Sequence, residues 1–395
     1  MNIGLKTKNI IKKIVLFSIE ELSGLLGNDK NKPLDQSGIK KILASGGGGG
    51  IGDLLRALPA VESLHANFPE ASISLLASPE SRDIVPLTSA SETISEIINY
   101  DPKNAHRSFF KKLGLLTKLR KFHFDLVYFP SRGEAMREEV LMNLIIGAPH
   151  RLGFKKGNVG LLNTIKIELR DDQPILDQNL AILKAANLNI YKENVRLEVS
   201  EHDLQYAKKF LNEHNFNNTF PLISIHTGAS WYTNFRCWPN ENYIYLIRYL
   251  VKTLNAKIII IGSKSEIEVG KVISDQIHDP SFINMIGETT VGQMAAIIKL
   301  SHLFIGNDSG PLHIALALGV PSVAIFGPTS PEQVIAHTDN FIAVNKKVNC
   351  SPCYLHQPGF KPHCHNRRCL EEITADEVIK PTEKLLDKIK ETVLL

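Results

Sequence analysis

A chain of 395 residues has room for two domains with full-sized cores, at roughly 100–200 residues each. With 43% hydrophobic and 22% charged residues the composition is that of an ordinary globular protein, and no apolar run approaches the ~20 residues that span a bilayer. A net charge of +4 is too small to argue for nucleic acid, and no interleaved basic and aromatic stripe supports that partner.

The first forty residues stand apart as an N-terminal basic extension, 1–40. Lys6, Lys8, Lys12 and Lys13 sit among Ile10, Ile11, Ile14, Val15 and Phe17, so a helix here carries a basic face and an apolar face. Two readings stand: peripheral contact with a membrane, or a basic helix packed on the first domain or left as a tail. The apolar stretch IVLFSI is short, Glu20 and Glu21 follow it, and no small-residue cleavage site appears, which excludes a good secretory signal. The expected location is cytoplasmic, at the inner face of the membrane if the basic helix binds lipid. Residues 27–38, GNDKNKPLDQSG, are polar and turn-rich and predict a linker.

A β/α alternation follows. KKILAS predicts a short buried strand, the glycine run a turn, DLLRALPAVESLHANF a helix, ASISLLAS a strand, and FDLVYFP a later strand stopped by Pro130. DDQP breaks the pattern and places a linker near residues 171–200. The alternation then restarts with helices at HDLQYAKKFLNEH, NENYIYLIRYLVKTL, GQMAAIIKLS and GPLHIALALG, and strands at PLISIHTGAS, AKIIIIGS, HLFIGND and PSVAIFG. The final segment, 373–395, predicts a helical stretch interrupted by Pro381. The expected fold class is α/β, with two facing Rossmann-like doubly wound domains at 41–190 and 191–372. Ligands in such sheets bind beyond the carboxyl ends of the strands.

The loop ILASGGGGGIGDLLRALPA holds a formal G-x-G-x-x-G at Gly47, Gly49 and Gly52, the pattern of an NAD(P)-dependent oxidoreductase. Two features argue against that reading. The next strand and its exit, ISLLASPES, put no acid at the strand tip for a ribose, and the Asp53 carboxylate competes with a pyrophosphate for the same amides. The alternative is an acceptor site, in which Gly49, Gly50 and Gly52 let a neutral sugar approach the backbone and Asp53 takes the proton from its hydroxyl. Position alone supports equally a plain helix cap at Asp53.

In FIGNDSGPLHIALALGVPSVAIFGPTSP, the residues Asp308, Ser309 and Gly310 turn out of a strand into a helix begun by Pro311. The first-turn amides and the Ser309 hydroxyl can hold a diphosphate, with His313 facing the same end; the plain reading is a capped structural helix with a satisfied histidine. In ISIHTGASWYTNFRCWPNENY, His226, Thr227, Gly228 and Ala229 form a strand-exit turn whose small residues admit a ligand. Arg236, which alone reads as a surface arginine, is always charged and grips phosphate in a fork, so it can stabilise a departing diphosphate. No Asp-x-Asp motif is present to chelate a metal–diphosphate complex, so the expected catalysis is metal-independent.

These segments, together with GAPHRLGF and INMIGETTVGQMAAII, stand in the order found in glycosyltransferase family 9, and the chain resembles that family over residues 41–345 and the cysteine segment. The family includes the ADP-heptose:lipopolysaccharide heptosyltransferases. The resemblance implies a GT-B fold, an inverting transfer, an ADP-heptose donor on the second domain and a glycolipid or glycan acceptor on the first. It implies Asp53 as general base, Arg236 where the family usually has a phosphate-binding lysine, Asp308, Ser309, Gly310 and His313 at the donor sugar and diphosphate, and Gly287 near the nucleotide base. This sequence departs in that arginine, in its forty extra N-terminal residues and in a glycine loop richer in glycine. Rival readings are a GT-B sugar-nucleotide epimerase, a non-catalytic sugar-nucleotide sensor and the oxidoreductase.

Four of the five cysteines lie at Cys350, Cys353, Cys364 and Cys369, with His356, His363 and His365 among them. The first pair has structural-zinc spacing. A structural metal, local disulfides and free thiols all stay open; similar segments in some members of the resembled family imply structure rather than chemistry. Cys237 stands alone and predicts a packed thiol.

Overall fold

The structure, a computed structural model, describes residues 21–393 apart from 22, 48, 103, 218, 229–234, 336, 337, 339, 354–363 and 365. The basic amphipathic segment, Ala229, His356, His363 and His365 therefore lie outside the described residues. The chain forms two compact units: one takes the residues up to Val85 and Ala90–Val195, the other Pro86–Ser89 and the described residues from Arg196 onward.

The strands of the first unit are β1 (Lys41–Ser45), β2 (Ser72–Ala77), β3 (Glu96–Asn99), β4 (Leu126–Phe129), β5 (His150–Lys155) and β6 (Ile165–Glu168). They pair in parallel in the order β3-β2-β1-β4-β5-β6. The order reverses between β1 and β4, so the chain leaves those two strands in opposite directions and opens a crevice at their carboxyl ends. Ile42, Leu43 and Ala44 of β1 are fully buried, as expected of a parallel strand covered on both faces. The Ile51–Asn67 helix packs against the Ile175–Ala185 helix, an element that falls inside the expected linker. Residues 27–38 are no free linker either. Lys32 N donates to Thr164 O at 2.8 Å and Lys166 N donates to Asn31 Oδ1 at 3.0 Å, which ties the segment to the β6 side of the sheet.

The second unit repeats the plan with β7 (Leu222–His226), β8 (Lys257–Ile261), β9 (Phe282–Asn284), β10 (Leu303–Asn307), β11 (Ser322–Phe326) and β12 (Phe341–Asn345). Its parallel order is β12-β11-β10-β7-β8-β9, with the reversal between β7 and β10. The helix Ala375–Val393 runs unbroken through Pro381, contrary to the expected interruption. Val378, Ile379, Leu385 and Leu386 are buried in this unit's core, and Thr382 Oγ1 bonds Val378 O at 2.8 Å, so packing carries the helix past the one amide that proline lacks. Among the described residues no helix is long and apolar enough to cross a membrane.

Candidate active site

Both reversals place chemistry-bearing residues at strand exits. In the second unit β10 ends at Asn307, which is fully buried. Its Oδ1 accepts from Trp238 N at 3.1 Å, and its Nδ2 donates to the carbonyls of Thr227 and Gly228, both at 3.0 Å. One amide side chain thus fixes the β7 exit against the start of the Asn240–Leu254 helix. Asp308 follows, 3% exposed; its Oδ2 accepts from Arg236 Nη1 and from Thr329 Oγ1, both at 2.9 Å, and its Oδ1 lies 4.0 Å from His313 Nε2. Arg236, Asp308 and His313, read from separate segments, form one group at the start of the Gly310–Ala317 helix.

Ser309 occupies the N-cap of that helix, but its side chain makes no capping bond. The hydroxyl instead meets His226 Nδ1 at 3.0 Å, and the first-turn amides are the natural partners of an anion. His226 is 3% exposed, and its Nε2 lies 3.1 Å from Glu266 Oε1. Glu266 Oε2 in turn accepts from Ser263 N at 2.6 Å and Ser263 Oγ at 2.7 Å. Burial raises the Glu266 pKa, but the charge and hydrogen bond of His226, with those of Ser263, outweigh it and bring the carboxyl down to about 2. This buried relay went unread in the sequence, although Ser263-x-x-Glu266 is a capping-box spacing.

The relay also explains Gly228. A Cβ there would stand 1.7 Å from Glu266 Oε1, so the missing side chain makes room for an internal carboxylate. Thr227 is buried, and its Oγ1 makes no hydrogen bond among the described residues. Gly287 has φ +84°, and a Cβ on it would come within 2.9 Å of Ile267 Cγ1, so both its backbone and its surroundings require glycine.

In the first unit the β1 exit is the glycine loop. Gly47 and Gly49 adopt φ of +81° and +89°; a Cβ on Gly47 would meet Pro130 O at 3.0 Å, whereas one on Gly49 would meet nothing within 4 Å. Gly50 is the N-cap of the Ile51–Asn67 helix. Asp53 is therefore not the cap but stands in the first turn, beside Gly50 and Gly52, with Oδ1 2.7 Å from Arg56 Nη2. Its side chain is 34% exposed against 11% for Arg56. At the β4 exit stand Ser131, Arg132 and, in the Glu134–Ile146 helix that follows, Glu139, none singled out from the sequence. Arg132 Nη2 donates to Asn179 Oδ1 at 2.8 Å and Ile175 O at 3.1 Å, and its guanidinium lies 4.7 Å from the Phe154 ring centre.

The cysteines are free thiols: Cys350 and Cys364 are exposed, Cys353 and Cys237 half-buried, Cys369 buried. Burial, then the charges of Cys353, Cys364 and Cys350, push the Cys369 thiol up to about 11, so the four sulfurs feel one another. Thiolates suit zinc chemically. Among the described residues, however, no three His, Cys, Asp or Glu side chains gather into a group that could hold a metal, so those residues do not by themselves build the site.

The model of glycosyltransferase family 9 (heptosyltransferase) matches residues 118–363. The chain belongs to glycosyltransferase family 9. It is 25% identical over 295 residues to lipopolysaccharide heptosyltransferase 2 of Escherichia coli K12, covering 71% of this chain and 81% of that protein. It is 23% identical to lipopolysaccharide heptosyltransferase 3 of the same strain, covering 85% and 95%. Among solved structures it matches the family 9 glycosyltransferase of Veillonella parvula with a TM-score of 0.72 at 21% identity, over 91% of this chain and 100% of that one. It matches E. coli ADP-heptose lps heptosyltransferase II at 0.66 and 22%, over 89% and 99%. The two parallel six-stranded sheets are thus those of the GT-B fold, and family membership makes the chain a glycosyltransferase; the oxidoreductase, epimerase and sensor readings fall away.

Proposed function

We propose that this enzyme moves a heptose from ADP-heptose to a lipopolysaccharide-core or related glycan acceptor, by a metal-independent displacement that inverts the anomeric carbon. The observation that carries the donor side is the Arg236–Asp308–His313 group, centred on the buried Asp308, at the start of the Gly310–Ala317 helix. A helix N-terminus and a fixed guanidinium are the means by which a protein stabilises a departing diphosphate without a metal. Asp308, itself held by the Thr329 hydroxyl, keeps Arg236 in place before the leaving group arrives, so little reorganisation accompanies the charge that develops. Asp53, at the mouth of the glycine loop, accepts the proton of the acceptor hydroxyl as that oxygen attacks. The names of the relatives, lipopolysaccharide heptosyltransferases 2 and 3, support the donor and acceptor classes.

In this reading the enzyme is cytoplasmic and works on a membrane-borne acceptor, with the basic segment from Lys6 to Lys13 as its peripheral contact. A metal at Cys350, Cys353, Cys364 and Cys369 would be structural. The test is transfer from ADP-heptose to a heptose-deficient lipopolysaccharide core in the presence of a chelator, with the product anomer read by NMR. We expect an unchanged initial rate and an inverted linkage. Activity that vanishes on chelation and returns with magnesium or manganese contradicts the metal-free mechanism, and elemental analysis of the purified protein reports zinc separately.

A further inference from the structure

The helix Glu134–Ile146 places Glu139 on the same inward face as the buried Met136, Val140 and Asn143. A carboxyl on such a face needs partners, and it finds them at the exits of β1 and β4. Ser45 Oγ lies 3.2 Å from Glu139 Oε1, the Ser131 amide 3.3 Å from Oε2, and the Ser131 hydroxyl makes the tightest contact, to Oε1. The same two serines hold the glycine loop. Ser131 Oγ is 2.7 Å from the Gly47 carbonyl, and Ser45 Oγ accepts from the Gly47 amide at 3.4 Å.

The Ser131 hydroxyl has one proton and two oxygen neighbours, the Gly47 carbonyl and Glu139 Oε1. A carbonyl cannot donate, so both contacts are hydrogen bonds only if the second proton belongs to Glu139. Protonated, Glu139 donates to Ser131 Oγ, and Ser131 donates to Gly47 O. Ionised, Glu139 draws the single Ser131 proton to itself, because a charge-assisted bond is roughly twice as strong as a neutral one, and Gly47 O loses its donor.

We propose that Glu139 is a positioning residue that works as a neutral acid, holding the glycine loop through Ser131, and that its ionisation loosens the loop that leads into the first helical turn bearing Asp53. The inference rests on the reading of that loop as the acceptor site. Burial supports it by pushing the Glu139 carboxyl up to about 8, against the opposing hydrogen bonds of Ser131 and Ser45 and the charge of Arg132. The groups that face it are Arg132 at the β4 exit, Tyr128 on β4 and Tyr100 after β3. The neighbouring Glu138 is already paired with Lys112 and bonded by Tyr100. Because the folded-state pKa lies above the ordinary 4.5, the stability Glu139 contributes is present at low pH and lost as pH rises through about 8.

The experiment is steady-state kinetics across pH 6–9 on wild type and Glu139→Gln, with donor and acceptor varied separately and melting followed over the same range. In wild type the acceptor KM should rise about 2- to 10-fold through pH 8, the worth of one neutral hydrogen bond, while the donor KM stays flat. Glutamine remains neutral and still donates, so Glu139→Gln should keep the low acceptor KM throughout and melt with a shallower pH dependence. Ser131→Ala, which removes the relay, should show the high acceptor KM at every pH. A glutamine variant that retains the wild-type pH dependence, or that raises both KM values alike, overturns the proposal. Full turnover in Asp53→Asn would instead overturn the acceptor reading beneath it, so the two failures are distinguishable.

Discussion

The two strand-exit sites are built on opposite principles. At β1 the loop turns through Gly47 and Gly49 in left-handed backbone, Gly49 has open space where a Cβ would stand, and Asp53 is a third exposed. At β7 and β10 the exits are buried and cross-linked: Asn307 ties three backbone groups, Asp308 takes two hydrogen bonds on one oxygen, and His226 bridges Ser309 to Glu266. The first arrangement suits a site that admits a varied hydroxyl partner and acts through one base. The second suits a site that presents fixed charge to a leaving group, where preorganisation carries the effect.

Breaking the open site should have the largest effect. Asp53→Asn keeps shape and removes the proton acceptor, so turnover should fall about 10²–10⁴-fold with donor affinity nearly unchanged. Turnover within a few-fold of wild type would return Asp53 to a helix-terminal charge paired with Arg56. At the buried site, Gly228→Ala forces a methyl group onto the Glu266 carboxylate. Overpacking of that kind costs about 1–3 kcal/mol, and donor binding should fall with stability; an unchanged melting temperature would show that the relay yields easily. Arg236→Ala comes next, with an expected loss of about 10- to 150-fold from a charge-assisted contact worth about 1.5–3 kcal/mol, largely in turnover. Arg236→Lys should recover much of it, since the ammonium keeps the positive charge. A lysine variant as weak as the alanine one would mean that the guanidinium fork itself is required.

The contrast also sets what could be read from the residues alone. Runs such as IIII in β8 and SVAIF in β11 announce buried parallel strands, and glycine or proline punctuation marks their exits. β3 was missed because it lies at the sheet edge with Glu96, Ile97 and Asn99 exposed, and β9 because it spans three residues, too few for any period to show. Asp53, Arg236, Asp308 and His313 were legible because charged residues beside strand exits are informative by position. His226, Glu266, Ser131 and Glu139 were not, because their roles depend on partners 40 or 83 residues away for His226 and on two different strand exits for Glu139. For Glu139 one local signal existed: it shares a helical face with Met136, Val140 and Asn143, where a carboxyl is out of place.

The central claim, that the diphosphate is held in the second unit and the acceptor in the first, is tested most directly by calorimetric titration of ADP into wild type, Arg236→Ala and Gly49→Ala. We expect affinity to weaken about 10- to 150-fold in Arg236→Ala and to stay at the wild-type value in Gly49→Ala. Nucleotide binding that survives the loss of Arg236 but disappears with Gly49→Ala would put the phosphates on the glycine loop and contradict the account.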